Sequence, residues 1–533
     1  MGICADYVIS LQNIPSPFGI LVPQGKEGIT MKGFSEKVYL SLKMPTEELA
    51  VSDQKRIELA LDALGYAPVT MPLPVLRRLY PLCREAGFDI TVTLVRRELD
   101  WVVVDVEPGD QRGQHYALAV DYGSTNIVMQ LVDLISGHVI GEEKAPNGQI
   151  AYGTDILTRI TYAMEHGPEP LQRATVETFH DLFAALTGNT GIDAAACPVM
   201  IVSGNTAMIH FLLGLDAWTV FASPYAPVTA DPGFLWGREL GMDFGGLVYM
   251  IPAASNYVGG DIVSGLTTLD LHRQEEPAMF FDIGTNGELV IGNRDWILAG
   301  AGAAGPALEG YISSTGMRAE PGAVASVKIS GPELEISTIG AEPPRGICGS
   351  GIIDLLAGMR ENGWIDRAGN LEPAASLHIR FLPESGEYGA VYALAADGRP
   401  LAFSQTDIRQ YLDTKAAAYT MIECLLETAG LDASQLRRVW LSGAFAAHSD
   451  LEAAISIGMC PELPREKYRV IKNSSLDGAR QMLLDRSRLS EARALAEKIY
   501  SVQFASIPDF LIRMHAAKFI PHTDLGRFPS VQA

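Results

Sequence analysis

The chain reads as an α/β protein built from two copies of one lobe, with a ligand held between them. Three observations predict this. Apolar strand-like runs alternate with amphipathic helical stretches through most of the 533 residues, the pattern that layered α/β folds require. A turn of the form D-x-G-[ST], flanked by apolar runs, occurs twice: Asp121-Tyr122-Gly123-Ser124 and Asp282-Ile283-Gly284-Thr285, 161 residues apart. The chain is also too long for one core, so roughly two to four domains are expected.

Taken in order, residues 1–37 carry short apolar runs among Gly and Pro and are assigned no element. A small α/β unit is expected over 38–112. It has a strand at Val38–Leu42, helices around Ser52–Leu64 and Pro74–Glu85, and strands at Ile90–Leu94 and Trp101–Val106. Pro108-Gly109-Asp110-Gln111-Arg112-Gly113 is the best linker in the chain. The first lobe is placed at 113–270. It contains the first turn, helices at Thr154–Ala163 and Leu171–Leu186, and a buried strand Val199–Val202 running into Ser203-Gly204. A connecting helix over Asn256–Leu269 starts at Gly259-Gly260-Asp261. The second lobe is placed at 271–533. It contains the second turn, a helix opening near Ile352, a strand-rich insertion at 368–405 and a long helix Asp407–Ala429. A strand Arg438–Leu441 then ends at Ser442-Gly443-Ala444-Phe445, and a helix over Ser487–Tyr500 precedes a strand-like tail.

Composition narrows the function. Apolar residues make up 47% and charged residues 20%, ordinary for a globular protein. A net charge of −22 argues against nonspecific nucleic-acid or anionic-membrane binding. Cys4, Cys83, Cys197, Cys348, Cys424 and Cys460 all lie more than 35 residues apart. No local ligand set or disulfide staple is therefore visible, and a reducing cytoplasm is expected. Phe244–Gly260 is uncharged but holds Pro252 and several glycines, so it reads as buried rather than membrane-spanning.

The two turns suit a nucleotide. Phosphate oxygens need backbone N–H groups at close range, and glycines at 123, 284 and 287 allow that approach and permit positive φ. Ser124, Thr125, Asn126, Thr285 and Asn286 can donate to phosphate. Asp121 and Asp282 are placed to hold Mg²⁺ through its waters, which that ion releases reluctantly. Either turn alone is equally well explained as a hairpin with a capping Asp; the pair favours a phosphate site. Gly443-Ala444-Phe445 on its own reads as an ordinary strand-to-helix turn; following the two phosphate turns, its small Gly443 and Ala444 would let an adenosine ring lie against the backbone. Gly300–Gly305 satisfies G-x-G-x-x-G, but glycines and serines soon after break the helix a dinucleotide fingerprint needs. Cys348 is expected as a buried residue at a helix start.

In order, DYGSTN, DIGTNGE and SGAF resemble the phosphate and adenosine motifs of the actin, sugar-kinase and heat-shock superfamily. Longer strings narrow the resemblance to reductive activators of corrinoid proteins: QIAYGTDILTRI, VSGNTAMIHFLLGL, PRGICGSGIIDLL and NSSLDGA. It covers roughly residues 38–530. It implies duplicated RNase H-like lobes, an ATP- and Mg²⁺-dependent ATPase, and a corrinoid protein partner reduced from Co(II) to Co(I); it also suggests a homodimer. Asp261 falls where the superfamily often places an acid that orients the attacking water, although an Asp there serves equally as a helix N-cap. Members of the family usually carry an N-terminal [2Fe–2S] domain with four clustered cysteines. Residues 1–37 offer only Cys4, which cannot hold such a cluster. No intrinsic iron–sulfur cluster is therefore expected, and a separate electron donor is. Ala446 stands where relatives often have glycine. A small-molecule phosphotransferase and a nucleotide-gated corrinoid-protein scaffold remain the alternative readings.

Overall fold

The structure is a computed structural model that describes residues 33–48, 50–284, 287–302, 313–443 and 450–531. Thr285, Asn286, Ala444 and Phe445 lie outside the described residues.

The small N-terminal unit is a four-stranded sheet in the order Ser35–Ser41, Asp89–Arg96, Trp101–Pro108, Val69–Thr70. Helices Asp53–Ala63 and Leu73–Glu85 pack on it through Ile57, Leu61, Val75 and Leu79. Ser52 caps the first helix by accepting from the Lys55 N–H. The sheet's opposite face sends Val95 and Val102 into the core shared by the two lobes.

Each lobe is built on a six-stranded sheet, and the two sheets repeat one plan. In the first, Tyr116–Tyr122 pairs antiparallel with Asn126–Asp133, which pairs antiparallel with Val139–Pro146. On its other side Tyr116–Tyr122 pairs parallel with Val199–Gly204, which pairs parallel with Leu247–Met250. In the second, Ala278–Ile283, Gly287–Gly292 and Ile297–Gly302 form the same antiparallel meander. Val439–Ser442 and Tyr468–Val470 extend it in parallel. Phe234–Trp236 and Ile499–Ser501 add the outer strands.

Alternation along the two equivalent central strands determines where the lobes meet. In the first, Leu118, Val120 and Tyr122 face the first lobe's own core, while Ala117 and Ala119 face the core between the lobes. In the second, Met279, Phe281 and Ile283 face inward, while Ala278 and Phe280 face the shared core. Period-two geometry therefore puts Asp121 and Asp282 on the shared face, each at the end of its strand.

Two helices fill that shared core, Gly260–Thr268 and Ser474–Leu484, and glycine lets them touch. A Cβ at Gly478 would come 2.2 Å from the Ser264 carbonyl oxygen, and one at Gly265 would come 2.8 Å from Ser474 Oγ. Ser264 Oγ donates to the Ser475 carbonyl at 2.7 Å.

The second lobe carries two additional sheets. One, from Ile379 to Ser404, falls in the strand-rich stretch read at 368–405. The other joins Ala323–Ser330, Glu333–Thr338 and Gly346–Ile347, and sequence patterning did not single it out. The tail also differs from expectation, because Phe510–Ala517 is a helix packed against Gln405–Thr428 rather than a strand. Its apolar residues fall at helical spacing once the segment is anchored: Lys415 donates to the carbonyls of Ala517, Phe519 and Pro521. Among the described residues no helix is long and apolar enough to cross a membrane.

Candidate active site between the lobes

The site is assembled where the two central strands end. Across the parallel pairs, Asp121 lies beside Ser203 and Asp282 beside Ser442, the same register in both lobes. Each serine is followed by a glycine that approaches the carbonyl of the residue after the aspartate. A Cβ at Gly204 would meet the Tyr122 oxygen at 3.0 Å, and one at Gly443 would meet the Ile283 oxygen at 2.3 Å. Gly443 has φ +94° and its absent Cβ would also lie 2.8 Å from Asp282 Oδ1, so no side chain fits there.

The helix Ser474–Leu484 supplies polar contacts to both lobes from its first turn. Asn473 Nδ2 donates to Asp121 Oδ2 at 2.9 Å, and Ser475 Oγ donates to Asp121 Oδ1 at 2.8 Å. Ser475 Oγ also lies 2.9 Å from Ser203 Oγ, and Ser474 Oγ lies 3.0 Å from Ser442 Oγ. The Asp121 carboxylate is thus gripped by residues more than 350 positions away.

The first turn is held from outside. Asn147 donates its side-chain amide to the Gly123 carbonyl at 2.9 Å, and its backbone N–H bonds the Thr125 carbonyl at 2.9 Å. Gly123 does not have positive φ. Its glycine is required by closeness, since a Cβ would meet the Asn126 oxygen at 2.6 Å. Ser124 is buried, whereas Thr125 and Asn126 are half-buried at the cleft. Behind them Tyr122 bonds to Thr175 and Gln149.

Asp261 lies in the first turn of Gly260–Thr268, and the N-cap is Gly259. Asp261 is therefore not the N-cap of this helix. Its Oδ1 accepts from the Ile262 N–H at 2.9 Å. Burial, together with the neighbouring Asp121, pushes its carboxyl up to about 7. Burial, then Asp261 and Asp121, push Asp282 up to about 7 as well, while Ser442 pulls it back. Asp121 is raised chiefly by burial, with Asn473 and Ser475 opposing the rise.

A fourth carboxylate was not foreseen. Glu288 is the direct cross-strand partner of Asp282, is 9% exposed, and is raised well above the ordinary range by burial, Asp261 and Asp282. Its position in DIGTNGE was on view, but only the pairing register shows that it shares a face with Asp282. Asn473, Ser474 and Ser475 were likewise visible within NSSLDGA, with nothing in the spacing to aim them at Asp121. The repeat of Ser-Gly after a parallel strand, Ser203-Gly204 and Ser442-Gly443, was the one local signal for the serine pair.

Among the described residues no three acidic, imidazole or thiol groups converge closely enough to cage a metal unaided. The donor set suits an ion that keeps its waters and takes further oxygens from a phosphate, as Mg²⁺ does. Cys348 caps Gly349–Glu361 and is buried, with Sγ 3.4 Å from the Val324 carbonyl oxygen.

Comparison with known proteins agrees with this architecture. Residues 24–113 match the model of the RACo linker region, 116–274 the RACo middle region, and 276–532 the C-terminal domain of RACo, the ASKHA domain. The corrinoid activation enzyme RamQ of Eubacterium limosum is 30% identical over 77% of this chain and 71% of its own length. The [Co(II) methylated amine-specific corrinoid protein] reductase of Methanosarcina barkeri is 24% identical over 72% of this chain and 73% of its own. A solved reductive activator for corrinoid, iron–sulfur protein superposes with a TM-score of 0.86 at 33% identity, covering 95% of this chain and 82% of that one. The chain belongs to the RACo family of reductive activators, with an actin-like ASKHA fold.

Proposed function

We propose that this protein is an ATPase that drives reduction of a partner corrinoid protein from Co(II) to Co(I), with the electron delivered by a separate protein. The observation that carries the reading is the convergence of Asp121 from one lobe and Asp282 from the other on one cleft, with Asn473 and Ser475 bridging across it. Similarity to corrinoid activators supplies the partner class.

ATP is taken as the nucleotide. Its phosphates lie between the turns at Gly123-Ser124-Thr125-Asn126 and Gly284-Thr285-Asn286-Gly287, and its adenosine lies against Gly443-Ala444-Phe445. Gly443 packs directly on the Ile283 carbonyl and Asp282 Oδ1, which keeps this strand end beside the proposed phosphate site. Asp121 and Asp282 would hold a hydrated Mg²⁺, which would supply charge neutralisation for the phosphates. Asp261, at the positive end of its helix, orients the attacking water. Because the acids come from both lobes and repel one another, binding a cation and phosphate favours lobe closure. Hydrolysis relaxes that closure, which is the motion coupled to the partner. The electron is assigned to another protein because Cys83, Cys197, Cys348, Cys424 and Cys460 are buried and separate.

The test mixes the pure protein with ATP, Mg²⁺, a chemical reductant and a Co(II) corrinoid protein, and follows the cobalt absorption. ATP-dependent appearance of Co(I) is expected. Co(I) formation indifferent to ATP, or phosphate appearing on a metabolite instead, overturns the reading.

A further inference from the structure

The two lobes repeat Asp121/Ser203 as Asp282/Ser442, but they part at the residue across the antiparallel hairpin. Opposite Asp121 stands Val128, packed against the shared core; opposite Asp282 stands Glu288, on the same face of its sheet. Replacing an apolar side chain with an acid there is unfavourable on three counts. The group is 9% exposed, it faces a like charge directly across an antiparallel pair, and among the described residues no side chain donates a hydrogen bond to its carboxylate. The neighbouring Val290 packs on the shared core as a strand residue should, so the fold itself asks for an apolar residue at 288.

Resting on the ATPase reading, we propose that Glu288 is a catalytic carboxylate: it holds the attacking water together with Asp261 and accepts that water's proton. The water oxygen bonds to the terminal phosphorus, the bond from that phosphorus to the bridging oxygen breaks, and ADP leaves with the bridging oxygen. The proton goes to Glu288 and from there to solvent. The asymmetry between the lobes then has a chemical cause, since hydrolysis needs one base rather than two.

Glu288→Gln keeps the shape and removes the base, and Glu288→Val copies the first lobe's residue and its strand preference. Binding of the magnesium complex of a non-hydrolysable ATP analogue is measured beside steady-state phosphate release. Both variants are expected to bind within about threefold of the parent and to lose about 10²–10⁴-fold in kcat, the range of general-base catalysis. Turnover within threefold of the parent overturns the assignment, as does loss of binding parallel to loss of turnover, which would make Glu288 a structural or binding residue. If the parent binds the analogue but hydrolyses nothing, the ATPase reading fails, and this one fails with it.

Discussion

The bond between Asp121 and Ser475 gives the sharpest quantitative test of how the lobes are joined. Ser475 Oγ donates to the carboxylate at 2.8 Å and lies 2.9 Å from Ser203 Oγ. A hydrogen bond to a charged group contributes about 1.5–3 kcal/mol and a neutral one about 0.5–1.5 kcal/mol. Ser475→Ala is therefore expected to destabilise the protein by about 2–4 kcal/mol. Asp121→Ala removes the acceptor, and with it the burial penalty that raises this carboxyl, so the single variants alone are ambiguous. The double-mutant cycle isolates the pair, and its coupling energy is expected at about 1.5–3 kcal/mol. Urea unfolding of the four proteins at pH 8 in EDTA, without nucleotide, measures it. A coupling below about 0.5 kcal/mol, the additivity error for independent sites, refutes the claim that this contact joins the lobes.

Three further outcomes are expected. Gly443→Ala places a Cβ 2.3 Å from the Ile283 carbonyl at φ +94°; ATP affinity measured by calorimetry should fall at least about tenfold, since one backbone shift in the cradle exceeds about 1.4 kcal/mol. His115 is 3% exposed, lies 2.9 Å from Ser35 Oγ, and is pushed down to about 4 by burial and by Lys37. Its depressed value means stability that is full above pH 6.5 and is lost as pH falls towards 4, about 3 kcal/mol in all, and His115→Gln should flatten that part of the urea-midpoint profile. Lys415→Met leaves three tail carbonyls without their donor; a loss of about 3–5 kcal/mol and faster hydrogen exchange across Phe510–Ala517 should follow.

The fold was legible because its determinants are local and repeated. Two apolar runs flanking D-x-G-[ST] specify a hairpin wherever they occur, and the order of strands and helices does the rest. The helices around Ser52–Leu64 and Pro74–Glu85 could be read from their own residues. Asp121, Asp282 and Asp261 stood out as acids beside glycines. What local pattern could not supply was register and contact across distance. Glu288 looks like an ordinary strand residue until Asp282 is seen opposite it. Asn473 and Ser475 look like a helix start, and Asn473 does cap its helix by accepting from Leu476, until their donors are seen to reach a carboxylate in the other lobe. The tail helix was missed for a similar reason, because its anchor is Lys415, about a hundred residues upstream.

Internal duplication turns this limit into a means of separating fold from chemistry. Where the lobes agree, at Asp121 and Asp282, Ser203 and Ser442, Gly204 and Gly443, the residues satisfy a geometry that each sheet imposes independently. The shared features therefore do not by themselves say what the cleft does, and the same set would serve a protein that only binds nucleotide. A reaction with one nucleophile and one leaving group needs groups that act differently, and residues that differ between the lobes can supply that difference directly. The departures from symmetry are Glu288 in place of Val128 and Asp261 on the helix connecting the copies. Both are acids beside Asp282: Glu288 is buried and pairs with it across the hairpin, and Asp261 is half-buried and helps raise its carboxyl. If symmetry were broken only by drift, apolar replacements would be the tolerated ones at such positions, because a buried carboxylate opposite another is among the costlier substitutions a strand can accept. Two such acids on one side of the cleft fit the proposed hydrolysis, in which only one side handles the attacking water.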